Sequence, residues 1–114
     1  PGTPPRIGLV ITKQVLREGE TAEVAIETHL RAASQKLRRY VEHERKERAV
    51  GGLKGWEARF SFSQEGVAVY ERQIFAVVGT LIWVLTASGL DSARADVDAA
   101  ADKLIGSIKF RRPT

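Results

Sequence analysis

Residues 67–88, VAVYERQIFAVVGTLIWVLTAS, decide how this chain folds. The stretch is rich in Val, Ile, Phe, Tyr, Trp and Thr, contains no Pro, and is interrupted by Gly79 and Thr80. These side chains favour the pleated surface of a sheet, and Gly at the break supplies the backbone freedom that a turn requires. The sequence therefore predicts two long antiparallel strands that meet at Gly79 and form the centre of the core.

A strand and a helix are predicted before this hairpin. β-Branched residues with partial alternation indicate a first strand over residues 7–16. After a turn at Gly19, apolar residues spaced three and four apart indicate a helix from Thr21, its N-cap, to Arg39. Acidic residues come first in this segment and basic residues come last, which is the order that the helix dipole favours.

Two further strands and a second helix complete the pattern. Residues 41–50 are mostly charged, as is common at a sheet edge, and a Gly-Gly pair then predicts a hairpin turn into residues 54–63, which alternate between apolar and polar. A helix is predicted over residues 93–107, with Asp91 or Ser92 as its N-cap. The order β-α-β-β-β-β-α predicts an α+β fold, an antiparallel meander sheet whose two helices cover one face.

Length and composition predict one domain. The chain has 114 residues, of which 43% are hydrophobic and 28% charged, a composition typical of a globular domain that buries its own core. We expect a Pro-rich tail over residues 1–6, a single domain over residues 7–110 with Phe110 closing over the core, and a polar tail over residues 111–114. The absence of Cys excludes disulfides and thiolate chemistry and fits either the bacterial cytoplasm or the periplasm.

The charge pattern does not predict a nucleic-acid partner. The net charge of +4 arises from 18 basic and 14 acidic residues that are interspersed along the chain. Interspersed charges indicate a solvated surface rather than a phosphate-binding patch. No window reaches the roughly 18 consecutive apolar residues of a membrane-spanning helix, so we expect no membrane insertion by this segment.

Residues with the chemistry for catalysis or metal binding are few. His29 and His43 are the only histidines, and they lack further ligands at a suitable spacing. No Gly-x-Ser-x-Gly motif, phosphate loop or dinucleotide fingerprint is present. The acids of residues 91–102 are interpreted as caps and dipole partners of the second helix. We therefore expect no catalytic site, no cofactor, no bound metal and no enzymatic activity.

One feature of the hairpin does suggest a function, since both of its strands carry apolar residues on both faces. When only one face of a sheet is buried, alternation should leave the other face polar. The second face is therefore either covered from within, or it is a surface that binds an apolar segment of a protein partner or a second copy of the chain. The predicted partner-binding residues are Arg59, Tyr70, Arg72, Gln73, Ile74 and Phe75.

Several sequence features together suggest a family. These are the Gly-Gly turn before WEARFSF, the phrase RQIF followed by a Gly turn and LIWVLTAS, and a closing helix that ends in SIKF. Their order over residues 8–110 resembles the DcrB-like family, which has the fold of the photosystem protein PsbP and is similar to the Eag chaperones of type VI secretion. Members typically begin with an additional N-terminal hairpin that carries a Pro and an aromatic residue, whereas only PGTPPRI precedes the first strand here.

The resemblance implies a PsbP-like fold and no enzymatic activity. It implies a protein-binding module, in its sharper form a chaperone-like domain that shelters hydrophobic segments of a secreted effector. The alternative is an accessory or structural domain of a bacterial cell-envelope lipoprotein, which covers its apolar face by self-association. No active-site residue is carried over from the family.

Overall fold

The structure is a computed structural model that describes residues 6–107. Its elements are β1 (Gly8–Val15), α1 (Ala22–Lys36), β2 (Arg38–Glu47), β3 (Gly55–Gln64), β4 (Val67–Val78), β5 (Leu81–Leu90), a 3-10 turn (Asp91–Ala93) and α2 (Arg94–Ser107). This order confirms the predicted α+β fold. Phe110, the polar tail and the first five residues of the Pro-rich tail lie outside the described residues.

The five strands form one antiparallel sheet in the order β1-β5-β4-β3-β2. The predicted hairpin is confirmed: β4 and β5 pair from Val69 opposite Leu90 to Val78 opposite Leu81, and Gly79 in the turn has a φ of 60°. Because β3 and β1 flank this hairpin, β4 and β5 lie inside the sheet. The charged strand β2 lies at one edge, as its composition predicts, and β1 lies at the other.

The first helix begins where the sequence predicts and ends earlier. The Thr21 hydroxyl accepts a hydrogen bond from the Val24 amide, as expected of an N-cap. The predicted end at Arg39 is wrong, because the helix ends at Lys36 and β2 already begins at Arg38. Arg39 has a φ of 53°, and the register between β2 and β3 shifts just after it. A bulge of this kind lets the chain enter the sheet directly from the helix.

The two helices lie on opposite faces of the sheet. We call the side that packs on α1 the α1 face; its buried residues include Trp56, Phe60, Phe75 and Val84 from the sheet, and Ala25, Ile26 and Leu30 from the helix. The α2 face includes Tyr70, Ile74, Leu85 and Ala87, packed against Val97 and Ala101 of α2. The expectation that both helices cover one face is therefore wrong. Each helix covers one face, which explains why the hairpin is apolar on both.

The second helix is preceded by the short 3-10 turn. Asp91 and Ser92, the two alternatives predicted for its N-cap, lie inside that turn. Trp83 lies on the α2 face in a partly buried position, with the Lys13 ammonium 5.9 Å from the centre of its ring. Among the described residues, no helix is long and apolar enough to cross a membrane.

Candidate functional site: the α2 face and the open edge of the sheet

The structure divides the six predicted partner-binding residues between the two faces. Because side chains alternate along a strand, even-numbered and odd-numbered residues of β4 point to opposite faces. Arg59, Tyr70, Arg72 and Ile74 lie on the α2 face, whereas Gln73 and Phe75 lie on the α1 face. Tyr70, Arg72, Ile74 and Phe75 are buried, and Arg59 and Gln73 are partly exposed.

These six residues therefore do not form one exposed surface. The sequence predicted an open apolar face at these positions, but α2 covers one side of β4 and α1 covers the other. Partner binding by these residues stays a prediction, and it would require a helix to leave the sheet.

On the α1 face, the two predicted residues hold the first helix. The His29 Nε2 atom lies 3.2 Å from Gln73 Oε1, and the Gln73 Nε2 donates to Thr86 Oγ1 at 3.4 Å. The Phe75 ring meets the His29 ring edge to face, with 5.7 Å between their centres. The contacts that Gln73 and Phe75 make in this structure thus connect α1 to the sheet.

On the α2 face, a buried ion pair lies between the sheet and the helix. Arg72 on β4 donates through Nε to Glu57 Oε1 on β3, and both side chains are almost completely excluded from solvent. The same guanidinium reaches α2, where one of its terminal nitrogens lies 2.8 Å from Asp102 Oδ1 and donates to the Asp98 carbonyl oxygen at 3.2 Å. Arg72 therefore connects two strands and a helix at once.

Further charges surround this pair and neutralise it. Glu57 also lies 3.3 Å from Arg48, 3.5 Å from Arg59 and 3.8 Å from Lys46. The connected cluster contains the acids Glu44, Glu57, Asp98 and Asp102 and the bases Lys46, Arg48, Arg59 and Arg72. With four charges of each sign, the cluster needs no bound ion to balance it. Its arrangement fits a structural role better than a ligand site.

Tyr70 adds a hydrogen bond between the sheet and the second helix. Its hydroxyl donates to Asp98 Oδ1 at 2.8 Å, and the Arg94 guanidinium lies 5.4 Å from the centre of its ring. Burial, together with the neighbouring Asp98 carboxylate, raises the pKa of Tyr70 to about 12. Burial and the Glu42 carboxylate likewise raise the pKa of Tyr40 to about 12.

These environments predict an alkaline titration. Tyr40 and Tyr70 are the only tyrosines, so the absorbance of tyrosinate should rise near pH 12 rather than near the ordinary value of 10. Asp98→Asn should lower the pKa of Tyr70 alone, because it removes the negative charge that opposes the phenolate; Glu42→Gln is the matched control and should act on Tyr40 alone. Circular dichroism at each pH shows whether the fold persists. Ionisation near pH 10 in folded protein would contradict these assignments.

The sequence analysis missed the roles of several acids. Asp98 and Asp102 were interpreted as caps or dipole partners of the second helix, but they bind Arg72, and Asp98 also accepts from Tyr70. Asp91 accepts from Arg94 at 2.8 Å and from Ser61 at 2.6 Å, and these two hydrogen bonds lower its pKa. One signal was present in the sequence: Asp98 and Asp102 are four residues apart and each directly follows an apolar residue of the buried stripe.

The open edge of the sheet is formed by β1, and it is apolar. Leu9, Val10, Ile11 and Val15 are 49%, 54%, 50% and 64% exposed. The Leu16 amide donates to the Thr80 carbonyl at 2.8 Å, so even-numbered residues of β1 direct their backbone groups toward β5. The backbone groups of the odd-numbered residues Leu9, Ile11, Lys13 and Val15 therefore point away from the sheet.

An edge of this kind is unusual, since exposed edge strands are generally short, charged or interrupted by Pro. The opposite edge follows that rule, because β2 has the sequence RRYVEHERKE. Along β1 three large apolar residues, Leu9, Val10 and Ile11, follow one another, and adjacent ones point to opposite faces. Among the described residues, this strand combines free backbone groups with exposed apolar side chains.

The geometry of the described residues defines a class, an α+β domain with a five-stranded antiparallel sheet, one helix on each face, a neutral ion-pair cluster around the buried pair Glu57 and Arg72, and an apolar edge strand. The chain belongs to the DcrB family, whose profile matches residues 1–107. This confirms the predicted resemblance to the DcrB-like family. The resemblance to the Eag chaperones stays a prediction. None of the curated proteins matches the chain at a significant level.

Two solved structures have a similar fold. PA94 of Pseudomonas aeruginosa, a protein of unknown function, matches with a TM-score of 0.85 and 18% sequence identity over 99% of this chain and 78% of its own. LpqN of Mycobacterium tuberculosis, which is involved in cell envelope biogenesis, matches with a TM-score of 0.65 and 19% identity over 90% of this chain and 62% of its own. At these identities the likeness establishes the fold.

Proposed function

We propose that this protein is a non-enzymatic protein-binding module of the bacterial cell envelope that binds its partner through the open edge of β1. The observation that carries the proposal is the row of half-exposed apolar side chains on an edge strand whose outer backbone groups pair with no strand among residues 6–107. Membership of the DcrB family and the likeness to LpqN, a protein of envelope biogenesis, support the envelope setting.

Strand addition is the mode of binding that this edge fits. An extended segment of the partner pairs with the outward amides and carbonyls of Leu9, Ile11, Lys13 and Val15, which supplies affinity through the backbone. The side chains of β1 determine which partner sequence is preferred. Apolar residues are favoured on both faces, next to Leu9, Ile11 and Val15 on the α2 face and next to Val10 on the α1 face. The preferred partner is therefore an extended segment that is apolar on both faces.

The buried charges support a role without catalysis. Glu57 is surrounded by four basic side chains, and the Asp98 carboxylate already accepts a hydrogen bond from Tyr70. Both carboxylates are thus engaged by neighbouring side chains, and Glu57 is excluded from solvent, which keeps it out of reach of a substrate proton. Within residues 6–107, no group of three or more His, Cys, Asp or Glu side chains could hold a metal ion.

Peptide titration tests the proposal. The probe is a fluorescein-labelled peptide of alternating Val and Thr, eight residues long like β1, which presents Val to one face and the apolar methyl groups of Thr to the other. Fluorescence anisotropy measures its binding. We expect Ile11→Lys to weaken binding by about tenfold or more, because a charge at an edge strand opposes the approach of an apolar strand. Val41→Lys on the other edge strand is the matched control, since Val41 is 54% exposed and Ile11 is 50% exposed. Equal loss in the two variants, or no binding by wild-type protein that is present as a single copy, would contradict the proposal.

A more specific version of this proposal follows from the resemblance to the Eag chaperones. In this version the partner is a hydrophobic helical segment of a secreted effector. An amphipathic peptide of Leu and Ala that forms a helix is the probe. Under this form the helical peptide binds more tightly than the Val-Thr peptide, and Ile11→Lys leaves its binding unchanged if a helix-covered face is the site. Tighter binding of the extended peptide would contradict it.

A second candidate function is an accessory domain of an envelope lipoprotein, and the likeness to LpqN favours it. Fractionation of cells that produce the natural full-length protein tests this candidate. Co-sedimentation with membranes, with release by detergent and not by salt, is the expected result. Recovery in the soluble fraction would contradict it.

A further inference from the structure

We infer that the segment bound by β1 is β1 of a second copy of this chain, so that two five-stranded sheets join edge to edge in antiparallel orientation. The inference rests on the proposed function, because it names the partner of the same edge. It follows from the distribution of apolar residues, from the contrast between the two edges, and from the register in which the apolar residues meet.

The first argument is the two-sided apolar character of β1. A partner strand from an ordinary half-exposed sheet is apolar on one face only, and it would leave either Val10 or the pair Leu9 and Ile11 without apolar contacts. A strand that satisfies both faces must itself be apolar on both. β1 meets this requirement, since Leu9, Val10 and Ile11 are all about half exposed.

The second argument is the contrast between the two edges of the sheet. Head-to-tail assembly would place β1 of one copy beside β2 of the next, and β2 has Glu or Arg at most of its positions. Such a contact would bury charges against Leu9 and Ile11 at a cost in free energy. Contact between two copies of β1 places apolar residues together, and the twofold symmetry closes after two copies.

The third argument is the register. The outward backbone groups belong to odd-numbered residues, so hydrogen-bonded pairs across the new interface join odd to odd. A twofold centred on Val10 places Leu9 opposite Ile11 of the second copy twice and Val10 opposite its own counterpart, so that the exposed apolar side chains meet on both faces of the joined sheet. A twofold centred on Thr12 would instead place Ile11 opposite Lys13 and Val10 opposite Gln14.

Mass measurement is the first part of the test. Sedimentation velocity of the 114-residue chain should give twice the 12.6 kDa of one copy as the concentration rises. Ile11→Lys should weaken the dimer by about tenfold or more, whereas Val41→Lys, on the other edge, should leave it unchanged. A wild-type mass that stays at one copy at every concentration, or equal weakening by both substitutions, would overturn the inference.

Cross-linking is the second part and tests the register. These 114 residues contain no Cys, so a cysteine introduced into them has no competing partner. In the register centred on Val10, the two copies of that residue form a non-hydrogen-bonded pair with Cα atoms about 4.5 Å apart, a distance that a disulfide can span. Val10→Cys should therefore form a covalent dimer on mild oxidation, and Thr12→Cys should form it more slowly. The reverse order would overturn the register, and no covalent dimer from either variant would overturn the edge-to-edge contact.

The two proposals fail in different ways. A chain that stays single but binds the Val-Thr peptide retains the proposed function and rejects the second copy as the partner. A single chain that binds no peptide, and whose outward β1 amides exchange slowly with solvent, has an edge covered from within the chain, and both proposals fail. Dimerisation that Ile11→Lys abolishes, with Val10→Cys cross-linking, supports both.

Discussion

Replacing Arg72 with Met is expected to lower the free energy of unfolding by about 3–5 kcal/mol, because removal of one partner from a buried ion pair leaves the other charge poorly compensated. Arg72 bridges Glu57 on β3 to Asp98 and Asp102 on α2, and its side chain is 1% exposed. Met fills part of the volume of the Arg72 side chain but cannot donate hydrogen bonds to Glu57 on β3 or to α2. Equilibrium denaturation measures the loss.

Two controls make this result specific. Arg31→Met removes an exposed ion pair with Glu27 at 3.2 Å on α1, and exposed pairs contribute at most about 1 kcal/mol. The double substitution Glu57→Met with Arg72→Met should recover much of the loss, because apolar replacement of a whole buried pair is often nearly neutral. A loss below about 1 kcal/mol for Arg72→Met would show that this cluster is hydrated and does not hold α2.

Replacing Phe75 with Ala is expected to lower the free energy of unfolding by about 3–5 kcal/mol, as is typical for a buried aromatic residue. The Phe75 side chain is 1% exposed, packs beneath α1 and contacts the His29 ring. The sequence analysis assigned this residue to a partner surface, and the two assignments predict different outcomes. A partner-surface residue would lose binding and keep stability.

Val24→Ala is the control for Phe75→Ala, since Val24 lies on the same helix-covered side of the protein but is 52% exposed. Its substitution should change the free energy of unfolding by less than about 0.5–1 kcal/mol, as for other surface positions. Thermal unfolding by circular dichroism distinguishes the two variants. If Phe75→Ala unfolded at the same temperature as Val24→Ala, the assignment of Phe75 to the core of the α1 face would be wrong.

Features that depend on local sequence were predicted correctly. The β4–β5 hairpin, the alternation of β3 and the Thr21 N-cap all follow from side chains within a few residues of each other. The end of α1 was not predicted, because pairing of Arg38 with Ser63 on β3 overrides the helical periodicity of residues 37–39. A pattern within one segment cannot report a contact made with another.

The placement of the helices was missed for the same reason. A hairpin that is apolar on both faces predicts that both are buried, by the chain itself or by a partner, but nothing in residues 67–88 specifies that α1 covers one face and α2 the other. The ion pair was missed likewise. Arg72 lies 15 residues after Glu57 and 26 residues before Asp98, and the three residues meet only after the sheet and α2 have packed. The edge position of β1 also depends on the order of all five strands.

Residue-resolved amide exchange of β1 tests the central claim most directly, because it reports whether the open edge acquires a partner. In dilute protein, the amides of Leu9, Ile11, Lys13 and Val15 should exchange rapidly and those of Val10, Thr12 and Gln14 should be protected by β5. At high concentration, or with the Val-Thr peptide added, the four outward amides should slow while those of β2 stay unchanged. Outward amides that exchange at one rate under all three conditions would contradict the account.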